Sequence, residues 1–161
     1  MIQDAIAKAL NDHVSVETSS AIAYLSMASW AEIQGLSGFA AHFKTEATGE
    51  LNHMQQFITY LNNRDYQATF NAMPAPRSEW DSVEEVVAHA YEMEIELTTQ
   101  INNLVAKARE HNDYFTEAFL NGFIPQQITD QAEAEELLKR VRMAKDGQGL
   151  LIIDQHLGAK G

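Results

Sequence analysis

Apolar side chains recur every three or four residues along four long stretches of the chain, which is the spacing of helices that bury one face. The first stretch covers about residues 3–33 and the second about 38–63; the third begins near Ser82, and the fourth runs from Asn112-Asp113 to Asp146-Gly147. Regular alternation of apolar and polar residues, which marks strands, is absent, and the chain has only three prolines. The pattern therefore predicts an all-α protein.

The lengths of the connections predict how these helices are joined. Short breaks at Gly35–Gly38 and His111–Asp113 are typical of antiparallel helix pairs. The segment between the second and third helices, about residues 64–81, contains two prolines and lacks a helical period. Roughly 18 extended residues reach up to about 60 Å, whereas a helix of about 26 residues is only about 39 Å long. We therefore predict a four-helix bundle with one long crossover, which makes helices two and three parallel.

A short apolar segment follows the fourth helix. It contains Leu150-Leu151-Ile152-Ile153 and predicts a fifth helix over about residues 148–158. A four-helix core leaves no position for this helix, so we expect it to form an oligomer contact; the alternative is that it folds back onto its own bundle. The 161 residues are expected to form one domain, with the bundle over about 3–145.

Each apolar seam is interrupted by polar residues near the middle of its helix. The second seam, for example, reads Phe39, Phe43, Glu46, Glu50, His53, Phe57 and Tyr60. Because the midpoints of bundled helices lie at one level, the interrupting residues are expected to meet in one layer. They are Glu17 on the first helix, Glu50 and His53 on the second, Glu94 on the third, and Gln127 and Asp130 on the fourth.

This polar layer predicts a metal site. Glu50-x-x-His53 alone is a weak signal that a surface pair also produces, and a single buried polar residue fits a hydrogen-bond network. Glu17, Glu50 and Glu94 together would repel one another, however, and no Lys or Arg lies on a seam to neutralise them. Two bound cations would do so, and the arrangement resembles the general pattern of two-metal carboxylate bundles.

The donor atoms favour particular metals. Oxygen ligands with one imidazole suit iron or manganese better than tetrahedral zinc. Tyr24, two turns beyond Glu17, either fills the core or supplies a hydrogen bond or an electron at the site. His13, on the same seam, is expected to be a satisfied core residue.

Composition narrows the range of partners and compartments. The chain has 23 acidic and 11 basic residues and a formal net charge of −12, which disfavours binding to nucleic acid or anionic membranes. No cysteine is present, so disulfides and thiolate metal sites are excluded. The first residues lack a secretory apolar region and no segment reaches transmembrane length, so we expect a cytoplasmic protein.

The seam motifs resemble those of bacterial non-haem ferritins, and the resemblance extends along essentially the whole chain. It implies a ferroxidase centre that binds two irons per subunit and oxidises Fe²⁺ with O₂ or peroxide. It further implies deposition of Fe³⁺ as mineral in a hollow cage of 24 subunits, with the short last helix at a four-fold axis. The implied first iron site is Glu17, Glu50 and His53, and the implied second site is Glu94 with Glu50 bridging and Gln127 nearby. The residues that carry the resemblance are the run Glu17-Thr18-Ser19-Ser20-Ala21-Ile22-Ala23-Tyr24, with Glu50, His53, Glu94 and Gln127.

The chain departs from the family pattern at several positions. Where related ferritins have glutamates for a third iron, the residues here are Gly49, Gln126, Thr129 and Asp130, so only Asp130 can contribute a carboxylate. The bacterioferritin branch has a haem-ligating Met directly after the Glu of Glu-x-x-His. This chain has Leu51 there, so no haem is expected.

Pro125 predicts a bend in the fourth helix. Inside a helix, proline removes one backbone hydrogen bond and its ring clashes with the carbonyl four residues earlier, here that of Asn121. With Gly122 close by, we expect the bend to lie beside the proposed site.

Three other functions remain open. One is a cage that mineralises iron without oxidising it rapidly. Another is a DNA-protecting mini-ferritin of 12 subunits, a class that normally lacks a fifth helix and often has a basic tail. This chain instead has Leu150–Leu157 and ends Gly158-Ala159-Lys160-Gly161. The third is a soluble di-iron oxidase, which needs a substrate pocket, and the seams show no gap for one.

Overall fold

A computed structural model describes residues 2–144 and 146–159, and helices are the only regular secondary structure within those ranges. Lys145, which the predicted bundle includes, and the terminal Lys160-Gly161 lie outside the described residues. None of the helices in the described residues combines the length and the apolar character needed to span a membrane. The helices are α1 (Asp4–Ile33), α2 (Ser37–Asn63), α3 (Val83–Glu110), α4 (Tyr114–Asn121), α5 (Ile124–Met143) and α6 (Gly147–Gly158).

Two compact units divide the described chain, and the first comprises the residues up to Ser82 together with those from Met143 onward. Its helices α1 and α2 form an antiparallel hairpin, as predicted. Lys44 Nζ lies 2.7 Å from Glu32 Oε1 near the turn, and the rings of His13 and Phe57 lie 4.7 Å apart at the other end. Gly35 turns the chain with φ +76°, a conformation that side chains with a Cβ rarely adopt.

Burial along α2 follows the predicted seam except at Glu46 and Tyr60, where the next residue along the chain is buried instead. Phe43, Glu50 and Phe57 are buried. Glu46 was also predicted to point inward, and this was wrong: it is half-buried, its Oε1 lies 3.7 Å from His42 Nδ1, and Ala47 is buried instead. Residues 46 and 47 are three and four positions after Phe43, and they lie on opposite sides of the buried stripe of α2. The small apolar side chain takes the inner position because burying a carboxylate costs more.

The crossover after α2 runs along α1. It begins at Arg64 and passes from the level of Asn11 to that of Trp30, about 29 Å along the helix. Hydrogen bonds and one aromatic contact mark its path: Thr69 N to Asn11 Oδ1 at 2.7 Å, Asn71 N to Ser15 Oγ at 2.9 Å, Ser26 Oγ to the Arg77 carbonyl at 2.7 Å, and Trp80 to Trp30 at 6.0 Å between ring centroids.

Helix α6 packs on the start of α2, which agrees with the alternative that it folds back onto its own bundle. The Asp154 carboxylate accepts a 2.9 Å hydrogen bond from the Phe39 amide in the first turn of α2. A Cβ at Gly38 would lie only 1.7 Å from the Asp154 carbonyl oxygen, so glycine permits the close approach. Leu151 and Ile152 are nevertheless 53% and 61% exposed, and their use in an oligomer contact stays a prediction.

The second unit, Val83–Arg142, contains α3, α4 and α5. Asp113 caps α4 by accepting a hydrogen bond from the Thr116 amide, as the Asn112-Asp113 start signal predicted. Arg142 Nε lies 2.9 Å from Glu84 Oε1, which joins the end of α5 to the start of α3.

The fourth predicted helix is interrupted at Gly122–Phe123. The amides of both residues bond to carbonyls three residues earlier, Phe119 at 3.1 Å and Leu120 at 3.0 Å. Pro125 has no amide hydrogen, and its ring excludes a regular turn over Asn121. The regular bond pattern is therefore interrupted before Pro125, and the predicted fourth helix is divided into α4 and α5; the bend itself stays a prediction.

Candidate metal centre

Three predicted ligands lie together between α1 and α2. Glu17 and Glu50 are only 1% and 4% exposed, and His53 is largely buried beside them. One ligand atom from each of the three residues lies within 4.8 Å of the others, which is close enough for one metal ion to bind all three. The i, i+3 spacing of Glu50 and His53 places both on the face of α2 that packs against α1.

The distances show how the three side chains are oriented. His53 Nδ1 lies 3.0 Å from Glu50 Oε2 and 3.8 Å from Glu17 Oε2. The imidazole nitrogen therefore faces both carboxylates, and the same atoms are suited to donate electron pairs to a cation. Two carboxylates and one imidazole form a mixed oxygen and nitrogen donor set of the kind that iron and manganese accept.

Burial makes the negative charge of this site unfavourable. It raises the pKa of Glu50 from 4.5 to about 7; the nearby Glu17 charge also raises it, and the hydrogen bond with His53 partly opposes the rise. A divalent cation would favour the ionised carboxylate again, because an opposite charge nearby stabilises it. The donor set and its electrostatics thus fit a cation.

One neighbour of the site was assigned only a core role from the sequence. His13, which is 3% exposed, lies with Nε2 2.8 Å from Glu17 Oε1. Its position four residues before Glu17 on the same seam was the available signal, since such pairs lie next to each other on a helix.

The second unit buries two further predicted ligands. Glu94 on α3 and Gln127 on α5 are 2% and 3% exposed, and Thr98 Oγ1 donates to Gln127 Oε1 at 3.3 Å. Glu94 Oε2 accepts no hydrogen bond from the described residues. Asp130 is only half-buried, and its Oδ1 accepts a 2.7 Å hydrogen bond from Gln126 Nε2.

Tyr24 is buried on α1, with its ring centroid 6.3 Å from that of Phe43. This placement suits a core residue as well as a residue that assists the site. The roles of Tyr24, Glu94, Gln127 and Asp130 stay predictions.

Comparison with known proteins identifies the class to which this chain belongs. Residues 7–144 match the family described as "Ferritin-like domain". The structure superimposes on the open pore ferritin of the archaeon Archaeoglobus fulgidus with a TM-score of 0.96 and 31% identity, covering 98% of each chain. The chain therefore belongs to the ferritin-like family. The predicted fold class, an all-α ferritin-like four-helix bundle with one long crossover and a short C-terminal helix, is confirmed.

Two relatives are described as bacterial non-haem ferritins or ferritin-like proteins, which agrees with the resemblance that the seam motifs predicted. A Haemophilus influenzae protein described as "Probable bacterial non-heme ferritin-like protein" is 35% identical over 159 residues, which covers 98% of this chain and 96% of the relative. A "Bacterial non-heme ferritin" of Staphylococcus aureus strain USA300 is 32% identical over 161 residues, which covers 99% and 97% respectively.

Proposed function

We propose that this protein stores iron and is a ferroxidase, which oxidises Fe²⁺ at a di-iron centre and deposits Fe³⁺ as mineral inside a hollow cage. The observation that carries the proposal is the convergence of Glu17, Glu50 and His53, whose ligand atoms lie within 4.8 Å of one another, in a chain of the ferritin-like family. A buried cluster of two carboxylates and an imidazole is costly without a cation. A cation-binding role explains why it is there.

Each residue of the proposed centre has a distinct task. Glu17, Glu50 and His53 would hold the first Fe²⁺. The resemblance to ferritins implies that Glu94 would hold the second Fe²⁺, with Glu50 shared and Gln127 assisting, and that Tyr24 would be available for a hydrogen bond or an electron. Two Fe²⁺ supply two electrons, which together with two protons reduce O₂ to H₂O₂; peroxide is the alternative oxidant. Asp130 is the remaining carboxylate available to a third iron.

The cage is proposed to contain 24 subunits in the cytoplasm. Solved ferritins share the fold over nearly the whole chain, and the exposed Leu151 and Ile152 of α6 offer an apolar surface to a neighbouring subunit. No haem is proposed, because Leu51 offers no ligand atom at the position of the haem-ligating Met. Nucleic acid and membranes are not proposed as partners of a chain with net charge −12.

Anaerobic titration with Fe²⁺, followed by addition of O₂, tests this function. The wild-type protein is expected to bind two Fe²⁺ per subunit and to oxidise them rapidly, and Glu50→Ala is expected to abolish the rapid phase. Glu46→Ala is the matched control: Glu46 lies one turn earlier on α2, is half-buried, and has its Oε1 3.7 Å from His42 Nδ1. Rapid oxidation that persists unchanged in Glu50→Ala would show that catalysis does not occur at this centre.

The same titration distinguishes the rival functions when the mass of the assembled particle is also measured. A storage cage without ferroxidase activity would have the mass of 24 subunits but no rapid phase in the wild type. A mini-ferritin would have the mass of 12 subunits. A soluble di-iron oxidase would be much smaller and would consume O₂ only with an organic substrate.

A further inference from the structure

A buried histidine that the proposed ferroxidase chemistry does not use lies against one of its ligands. His13 Nε2 is 2.8 Å from Glu17 Oε1, although His13 is not part of the group that could hold a metal ion. We propose that His13 is a positioning residue that holds the Glu17 carboxylate in its metal-binding orientation. This inference rests on the proposed function, because it assumes that Glu17 binds a metal ion.

The two oxygens of Glu17 have different neighbours. Oε1 lies within hydrogen-bond distance of His13 Nε2, at 2.8 Å, whereas Oε2 lies 3.8 Å from His53 Nδ1. The bond to Oε1 restricts rotation of the carboxylate and leaves Oε2 on the side of Glu50 and His53. Partners of this kind, which bind a ligand rather than the metal, orient it and typically change metal affinity by about 10–100-fold.

The surroundings of His13 hold its ring in place. It is 3% exposed, and its ring lies 4.7 Å from that of Phe57 with an interplanar angle of 53°. The contact with Phe57 limits the tilt of the imidazole, and the helical i, i+4 spacing places Nε2 level with Glu17. The role requires only the neutral tautomer that carries its proton on Nε2.

A matched pair of variants separates hydrogen bonding from packing. His13→Gln keeps an N–H donor that can reach a residue four positions later, whereas His13→Met has a similar size and no donor. Both variants are produced as full-length protein, and their unfolding midpoints are compared with that of the wild type to check that they fold. Co²⁺ is then titrated anaerobically, and its affinity and its visible absorption spectrum, which reports the coordination geometry, are recorded.

We expect His13→Met to bind the first Co²⁺ about 10–100-fold more weakly than wild type and with an altered spectrum. His13→Gln is expected to remain within a few-fold of wild type and to keep the wild-type spectrum. Equal binding by the wild type and His13→Met overturns the inference but leaves the proposed function intact. Equal weakening in both variants also overturns it, because the ring would then matter for packing alone. A wild-type protein that binds no Co²⁺ and no Fe²⁺ contradicts the proposed function itself.

Discussion

Replacing Glu50 with glutamine in the metal-free protein tests how strongly burial opposes the charge at this position. Glutamine has nearly the same shape, can still bond to His53, and carries no charge at any pH. In the wild type, the pKa of Glu50 is raised from 4.5 to about 7, mainly by burial. The variant should therefore differ from the wild type only where Glu50 is forced to ionise.

The size and sign of the effect follow from this pKa. Between pH 4.5 and about 7 the folded protein holds a proton on Glu50 that the unfolded chain has already released, so the stability of the wild type falls as pH rises. The stability that the raised pKa of Glu50 contributes is fully present below pH 4.5, and it is lost as the pH rises through about 7. A rise from 4.5 to about 7 corresponds to about 3 kcal/mol. Above pH 8, the unfolding free energy of Glu50→Gln, relative to that of the wild type, should therefore be higher than at pH 4.5 by up to about 3 kcal/mol.

Two measurements check the prediction. Chemical denaturation of the iron-free protein at pH 5 and pH 8 should show a larger loss of stability for the wild type than for Glu50→Gln. Infrared spectroscopy should show a protonated carboxylic acid band in the wild type that disappears near pH 7 and is missing from the variant. If that band has vanished by pH 5, or if the two proteins have the same pH dependence, Glu50 ionises normally and the argument from burial fails.

Three further substitutions test how the scaffold supports the site. Gly38→Ala should weaken the contact between α2 and α6 by about 1–3 kcal/mol, because the new Cβ would lie 1.7 Å from the Asp154 carbonyl oxygen; faster amide hydrogen exchange in α6 would report it. Asn11→Ala should reduce stability in denaturant by about 1–3 kcal/mol, because the buried side chain accepts a 2.7 Å hydrogen bond from the Thr69 amide. Asp113→Ala should lower the unfolding free energy by about 1–2 kcal/mol through loss of the α4 cap.

Each of these substitutions has a control in the same chain. Gly49→Ala, also on α2, meets nothing within 4 Å, and it should be neutral or stabilising by up to about 1 kcal/mol. Asn71→Ala removes an exposed bond to Asp12 and should change stability by less than about 0.5 kcal/mol. Asp146→Ala removes the exposed cap of α6 and should have a smaller effect than Asp113→Ala. Equal effects within any pair would contradict the reasoning.

Several parts of the fold and the site could be predicted because they depend on local chemistry. Periodicity located the helices, since each must bury one face, and it placed Glu17, Glu50 and Glu94 on the buried side. The Pro125 interruption followed from a missing amide hydrogen and a bulky ring. Asp113 could be recognised as a cap from its side-chain chemistry.

Other features depend on which surfaces meet, and periodicity alone does not determine this. Whether position 46 or 47 faces inward depends on a small rotation of α2 about its axis. The docking of α6 depends on Gly38 and Asp154, which lie far apart in sequence and yet approach closely enough to exclude a Cβ. The contact between His13 and Glu17 could be recognised only from the orientations of the two side chains, which the sequence does not give.

By itself, the sequence determined the helical class, the buried carboxylates and the motifs of the family, because a helix repeats its faces at a regular spacing that residue order reveals. Tertiary structure decided which oxygen of Glu17 faces His53 and where α6 rests. Those outcomes depend on rotamers and on contacts between residues distant in the chain, where differences of an ångström decide whether two groups bond or clash.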